Sequence, residues 1–419
     1  MPLSTPNPAV RASNRLGNVR YEIRGELTRR ALELEAQGRP IVKLNIGNPG
    51  LFGFQAPEHL RHALAENLAR SEAYCHQQGL PQARAAIAAQ QQQRGATNAT
   101  AQQVFIGNGV SELIDLCLRA LLNSGDEVLL PSPDYPLWSA ATVLNDGSPR
   151  YYSCPATRAH LPDPDEIEAL ITPRTRALVL INPNNPTGAV YPRELLQALV
   201  DVAWRHRLVL LSDEIYDGIL YDGAQFVPLA SLAGDVPCVS FGGLSKMYRA
   251  CGWRVGWISL SGVPHAMDEF AHALDLLAAL RLCANVPGQW AIAPALTGPD
   301  SSAALTAPGG RLHEARRVAM EHCAQSDFLD LVAPKGALYA FPSIRAAVLP
   351  TFDDAEFALD LLEREAILVV PGSGFNIAAR NHFRMTLLPQ PEQLHAVFAG
   401  IERVLGQHAA RRPLHRHVA

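Results

Sequence analysis

Short apolar runs alternate with longer amphipathic stretches along the middle of the chain. Between residues 100 and 260, "VFIGN", "DEVLLP", "ALVLINP", "LVLLSDE", "VSFGG" and "WRVGWISL" are brief runs rich in Val, Ile and Leu. Several are apolar throughout rather than at alternate positions, which predicts strands covered on both faces. The intervening "SELIDLCLRALL" and "RELLQALVDVAWRH" repeat apolar residues every three or four positions, which predicts helices packed by one face. Strand and helix in alternation predict an α/β fold with a largely parallel sheet. Its ligand site would lie outside the carboxyl ends of the strands. The segment "TGPDSSAALTAPGG" (297–310) is a loop-like break. Beyond it, "GALYAFPSI", "FALDLLEREAILVVPG", "HFRMTLLP" and a final helix suggest a smaller α+β unit. The Gln run in "AQQQQRG" reads as the polar end of a helix. The closing "QHAARRPLHRHVA" reads as a frayed tail, and His415 and His417 as part of it rather than as a metal site.

The length of 419 residues suggests two domains, or one large domain with an appendage. A net charge of −4 offers no basic field for nucleic acid. The seven cysteines are odd in number, scattered and without a CxxC pair, so they read as reduced thiols rather than a disulfide framework or a zinc site. No apolar run approaches the roughly 20 residues of a membrane span. The N-terminus shows no apolar signal core. These features together predict a cytoplasmic protein without a membrane partner.

Candidate chemistry gathers at the ends of the apolar runs. Only three of the 36 basic residues are lysine: Lys43, Lys246 and Lys335. Lys246 stands in "GLSKMYRACGWRVGW", just after a run that ends in glycines. A lysine amine can lose its proton and attack a carbonyl, which arginine cannot do; the alternative is an ordinary surface lysine. "GNGVSE" (107–112) marks a strand-to-helix turn, suited either to an anion or to a simple cap by Ser111. "INPNNPTGA" (181–189) holds more asparagine than a turn needs. Asp213, in "LLSDEIYDG", is either a helix N-cap or a carboxylate meant for a ring nitrogen. Tyr216 follows it by one turn if that segment is helical. Arg384, in "HFRMTLL", is a strand arginine that either pairs with a buried acid or awaits a carboxylate ligand. An amine, a carboxylate, an aromatic ring, an anion turn and an arginine together match pyridoxal 5'-phosphate (PLP) and an amino-acid substrate.

The order "PDYP", "NPNNPTG", "DEIY", "GLSKMYR", "HFR" resembles the class I/II aminotransferases, and the likeness runs nearly end to end. "LNIGNPGLFGF", "IGNGVSELI", "PDYPLW", "RLCANVPGQ" and "GALYAFP" are similar to the alanine branch of bacterial glutamate–pyruvate transaminases. The resemblance implies a fold type I architecture: a large domain (46–300) with a mostly parallel seven-stranded sheet covered by helices, and a smaller α+β domain (301–419) joined by the N-terminal segment (1–45). It implies a homodimer with shared sites that exchanges amino groups between alanine and 2-oxoglutarate, with amino acids and 2-oxo acids as small-molecule partners. It also implies the residue roles. Lys246 would carry the cofactor as an internal aldimine, and Asp213 would keep the ring nitrogen protonated. Tyr216 and Asn185 would contact the phenolic oxygen, and Tyr135 would stack on the ring. Val110, Ser111, Ser245 and Arg254 would bind the phosphate, joined by Tyr74 reaching the neighbouring subunit. Arg384, Asn185 and the backbone of Gly47 would hold the α-carboxylate.

Two features depart from the family pattern. Gly243 stands where many members have a phosphate-binding serine, and the stretch "GSGFNIAARNHFR" is more polar than the alanine branch leads one to expect. Arg281 and Arg380 are candidates for a distal carboxylate, which could also lie near "NIAARN". Rival readings are a carbon–sulfur β-lyase on the same fold, an aminotransferase for another neutral or aromatic donor, and a PLP-binding regulatory module without catalysis.

Overall fold

All six of the apolar runs between residues 100 and 260 form strands of one sheet. The structure, a computed structural model, describes residues 10–410. The sheet strands are β1 (Val104–Gly107), β2 (Glu127–Ser132), β3 (Ser148–Ser153), β4 (Thr175–Ile181), β5 (Val209–Asp213), β6 (Cys238–Gly243) and β7 (Gly256–Ser261). They lie in the order β1-β7-β6-β5-β4-β2-β3. Strands β2 to β6 pair in parallel, and β7 runs antiparallel to both of its neighbours, β1 and β6. This is the mostly parallel seven-stranded sheet of fold type I. The strand the sequence pattern does not reveal is β3, "SPRYYS". It is polar and carries Pro149, which an edge strand tolerates because one side of its backbone pairs with nothing.

Alternate residues of each central strand enter different cores. Leu129, Leu178, Leu180 and Leu210 pack on one face with Leu196, Leu199 and Val200 of helix Arg193–His206. Val128, Val179, Leu211 and Phe241 pack on the other with Leu113, Ile114 and Cys117 of helix Val110–Leu121. Two covered faces account for the continuous hydrophobicity of these strands. They also place the carboxyl ends of β1 to β6, with the loops after them, along one edge of a rigid slab, and the reversed β7 starts at that edge.

The chain beyond the sheet forms a second core. Helices Arg311–Gln325, Asp354–Glu365 and Pro391–Ala410 surround short strands that include Val370–Pro371 and Phe383–Thr386. The N-terminal segment reaches the same region. Val42 pairs in parallel with Ile367, and Ala31 and Leu34 of helix Glu26–Ala36 pack on Leu362 and Leu368. The Gln run ends helix Pro81–Gln93, as its polarity suggests. The segment expected as a frayed tail is helical through Ala410, because Val404 and Leu405 anchor that helix in the core. Residues 411–419, with His415 and His417, lie outside the described residues. No described helix is long and apolar enough to cross a membrane.

Candidate active site

The first strand end builds an anion cradle. Gly109 has φ 86° and ψ 162°, a conformation reserved almost wholly for glycine, and it starts the helix at Val110. A side chain there would overlap the guanidinium of Arg254. That guanidinium is held by two carbonyls, donating to Cys251 O at 3.0 Å and Asn108 O at 3.1 Å. Glu112 turns back to accept from Asn108 N at 2.6 Å. Ser111 therefore does not cap the helix. It sits inside the first turn, where backbone N–H groups lack intrahelical partners and the helix dipole is positive.

The next strand ends supply the titratable groups. Asp213 is the last residue of β5, and a turn rather than a helix follows it, so the N-cap reading fails. Its Oδ2 accepts from Trp138 Nε1 at 3.3 Å and its Oδ1 from Ile215 N at 3.4 Å. Burial pushes its pKa up to about 6, opposed by the Trp138 and Ile215 donors and the Lys246 charge. Tyr216 OH lies 2.9 Å from Tyr339 OH. Lys246, past the end of β6, donates from Nζ to Gly47 O at 2.6 Å. Lys43, in contrast, pairs with Glu35. Gly243 explains the missing serine: a Cβ there would lie 2.8 Å from Val255 O and 3.2 Å from Gly256 Cα of the adjoining strand. Only glycine fits this pairing, which leaves Ser245 as the hydroxyl nearest the lysine in sequence.

Arg384 comes from the other core. It is 1% exposed, yet its hydrogen bonds go to Asn185 Oδ1 at 2.9 Å and to the Asn45 carbonyl rather than to an acid. Among the described residues its Nε has no hydrogen-bond partner. The rings of Tyr339 and Phe375 lie 4.5 and 4.8 Å from its guanidinium carbon. Burial lowers its pKa, while Tyr339 and Tyr216 favour the charged form. A buried cation without a counter-ion is costly unless an anion completes the site.

Gly47, Val110, Ser111, Tyr135, Asn185, Asp213, Tyr216, Ser245, Lys246, Arg254 and Arg384 all line one cavity of about 650 Å³. The donor set fits PLP: an amine for its aldehyde, a buried carboxylate for its ring nitrogen, and a glycine-made cradle with an arginine for its phosphate. Tyr74 is not among the lining residues and is 79% exposed. The distal-carboxylate candidates fall outside as well. Arg281 donates to Ile106 O and faces Glu112, whereas Arg380 pairs with Asp353. The polar "NIAARN" stretch contributes no lining residue. Tyr21, Cys251 and Tyr339 line the cavity without having been singled out by sequence, and Trp138 orients Asp213 from behind it. For Trp138 and Tyr339 a signal exists, since both stand inside the family-like stretches "PDYPLW" and "GALYAFP".

Comparison with known proteins gives a consistent result. The family model described as aminotransferase class I and II matches residues 39–401. The chain is 46% identical to the glutamate-pyruvate aminotransferase AlaA of Escherichia coli, over 94% of this chain and 98% of that protein. It is 47% identical to the alanine aminotransferase of Mycobacterium tuberculosis, over 94% of this chain and 92% of that one. Among solved structures, an aminotransferase from Escherichia coli superposes with a TM-score of 0.93 at 45% identity, covering 95% of this chain and 98% of the other. The alanine aminotransferase of Pyrococcus furiosus superposes with a TM-score of 0.89 at 36% identity, covering 95% of this chain and 100% of the other.

Proposed function

The chain belongs to the class I and II aminotransferases, and from that premise we propose that it exchanges an amino group between alanine and 2-oxoglutarate, giving pyruvate and glutamate. The names of its relatives at 46% and 47% identity support those substrates. One observation of the site carries the reading. Arg384, a buried guanidinium that donates to Asn185 and the Asn45 carbonyl and, among the described residues, to no acid, opens into the same cavity as Lys246.

PLP, when bound, supplies an aldehyde that takes up the amino group and a ring that absorbs the electron pair released at the substrate Cα. This chain's residues do the rest. Lys246 Nζ moves the proton on and off the substrate Cα. The Asp213 carboxylate, oriented by Trp138 and Ile215, holds a proton on the ring nitrogen. Tyr216 and Asn185 would meet the phenolic oxygen, and Tyr135 would cover one face of the ring. The amides at Val110 and Ser111, with Ser245 and Arg254, would bind the phosphate. Arg384 and Asn185, with the backbone of Gly47, orient the α-carboxylate. Residues 46–300 form the cofactor unit, and the described residues of the segments 1–45 and 301–419 form the smaller one. Two copies share their sites through Tyr74. The seven cysteines, all unpaired, support a reducing cytoplasm.

The test is kcat/KM for a panel of donors with 2-oxoglutarate as acceptor. Alanine should exceed aspartate, tyrosine and leucine. A methylene in an apolar pocket discriminates only about 10–200-fold, so 2-aminobutyrate should react weakly. If aspartate or an aromatic donor exceeds alanine by about tenfold, the alanine assignment falls. Ammonia release without an acceptor would point to lyase chemistry.

A further inference from the structure

The polar stretch 372–384 adds nothing to the cavity wall at "NIAARN", yet its first turn is densely bonded. The turn Gly372–Phe375 ends at Asn376, whose φ of 52° is left-handed, a conformation asparagine tolerates well. Asn376 Nδ2 donates to both carboxylate oxygens of Asp134, at 3.1 and 3.2 Å, and to Ser139 Oγ at 3.0 Å. Ser132 Oγ donates to the Asn376 carbonyl at 2.8 Å, and Asp134 N donates to Phe375 O at 2.9 Å. These contacts bracket Tyr135 on both sides in sequence. Asp134 is fully buried, and its side chain depends on Asn376 and Ser139 as donors. Next to Asn376, the Phe375 ring lies against Arg384. One turn thus touches both the loop that carries the cofactor-facing tyrosine and the arginine that faces the substrate.

We propose that Asn376 is a positioning residue that ties the Tyr135 loop to the Phe375–Arg384 side of the cavity, so that ring and guanidinium are held as one unit. The proposal rests on the roles given above to Tyr135 and Arg384. Asn376 meets neither cofactor nor substrate. It acts through the buried carboxylate of Asp134, which fixes the backbone next to Tyr135. Without the amide, that carboxylate loses two of its hydrogen bonds and the loop can shift.

The variant that isolates the amide is Asn376→Gly, because glycine keeps the left-handed backbone without strain. PLP is titrated into the cofactor-free protein, and the induced circular dichroism of the bound cofactor is recorded. About tenfold weaker PLP binding and a diminished dichroic band are expected. KM for both alanine and glutamate should rise more than kcat falls. Asp134→Ala should give the same pattern, and the double variant should be no worse than either single one. A lowered Tm with unchanged affinity and dichroism would reduce Asn376 to a structural role and overturn the proposal, as would additive effects in the double variant. Should Asn376→Gly fail to fold, Ser132→Ala removes one outer contact; it should diminish the dichroic band, and an unchanged band overturns the proposal. Wild-type protein that binds no PLP would sink the functional reading itself. Wild-type binding with an indistinguishable Asn376→Gly variant would sink only this inference.

Discussion

Asp213 shows how burial and function pull a side chain in opposite directions. Its carboxyl, buried beside Trp138 at the cavity wall, has its pKa pushed up to about 6 by that burial. Above that pH it is ionised and can hold the proton of a ring nitrogen; below it the carboxyl takes up a proton itself. PLP affinity of the cofactor-free protein should therefore weaken as pH falls through about 6, by at most about tenfold per pH unit from this group. The Asp213→Asn variant should lack that step. The sign for stability is the reverse of a salt bridge: a carboxyl with a raised folded pKa costs stability above the ordinary carboxylate range. Cofactor-free Asp213→Asn protein should then melt no lower than wild type at pH 7.5, while its turnover drops by about a hundredfold or more, the usual loss for one electrostatic contact. Wild-type turnover in the variant would show that the carboxylate is only structural. Lys246 invites a harder test, since arginine keeps the charge but not the reactivity. Lys246→Arg should fold and turn over nothing, and borohydride should attach the cofactor to the wild type at residue 246. Attachment at Lys43 or Lys335 would refute the assignment.

Among the elements, the parallel strands were legible because burial on both faces writes an unbroken apolar run. Strand β3 was not, since an edge strand needs no such run. Lys246 was legible because lysine is scarce in this chain, Asp213 because it closes an apolar run, and Arg384 because a charge inside an apolar strand is conspicuous. Trp138 stood in a family-like stretch, but its role was not legible there, because that role is read from the atom it donates to and a buried tryptophan looks like core. Arg281 and Arg380 misled because sequence does not say which way an arginine points. The start of helix Val110–Leu121 yields its own prediction. Gly109→Ala would place a methyl group in a glycine-only conformation and against Arg254. That strain is worth about 1–3 kcal/mol. Tm should fall, and PLP or free phosphate should bind more weakly. Wild-type phosphate affinity in a folded variant would mean the cradle is not the anion site.

At the scale of the whole molecule, Tyr74 and the end of helix Pro264–Leu280 need explaining together. Gln77 bonds to Asp275, so the segment after Tyr74 lies along that helix, where Leu276 and Leu280 are 57% and 75% exposed. An apolar surface beside an exposed tyrosine suits a second copy of the chain. Sizing should give a dimer, and mixing inactive Lys246→Arg with inactive Tyr74→Ala protein should restore part of the activity in hybrids. A fully active monomer at low concentration would contradict this. The reversed strand β7 carries a different consequence, one of timing. Val104 pairs with Ser259, and among the described residues β1 has no other neighbour in the sheet. At a synthesis rate of about 5–20 residues per second, the first strand leaves the ribosome roughly 8 to 30 s before its only mate. Nascent chains can stack β2 to β6 during that interval, but the contact of Arg254 with Gly109, on which the proposed phosphate site depends, has to wait. The cell therefore makes a sheet before it makes an enzyme, and a chain released early would carry Lys246 and Asp213 without the Arg254 that flanks Gly109 or the Arg384 of the second core.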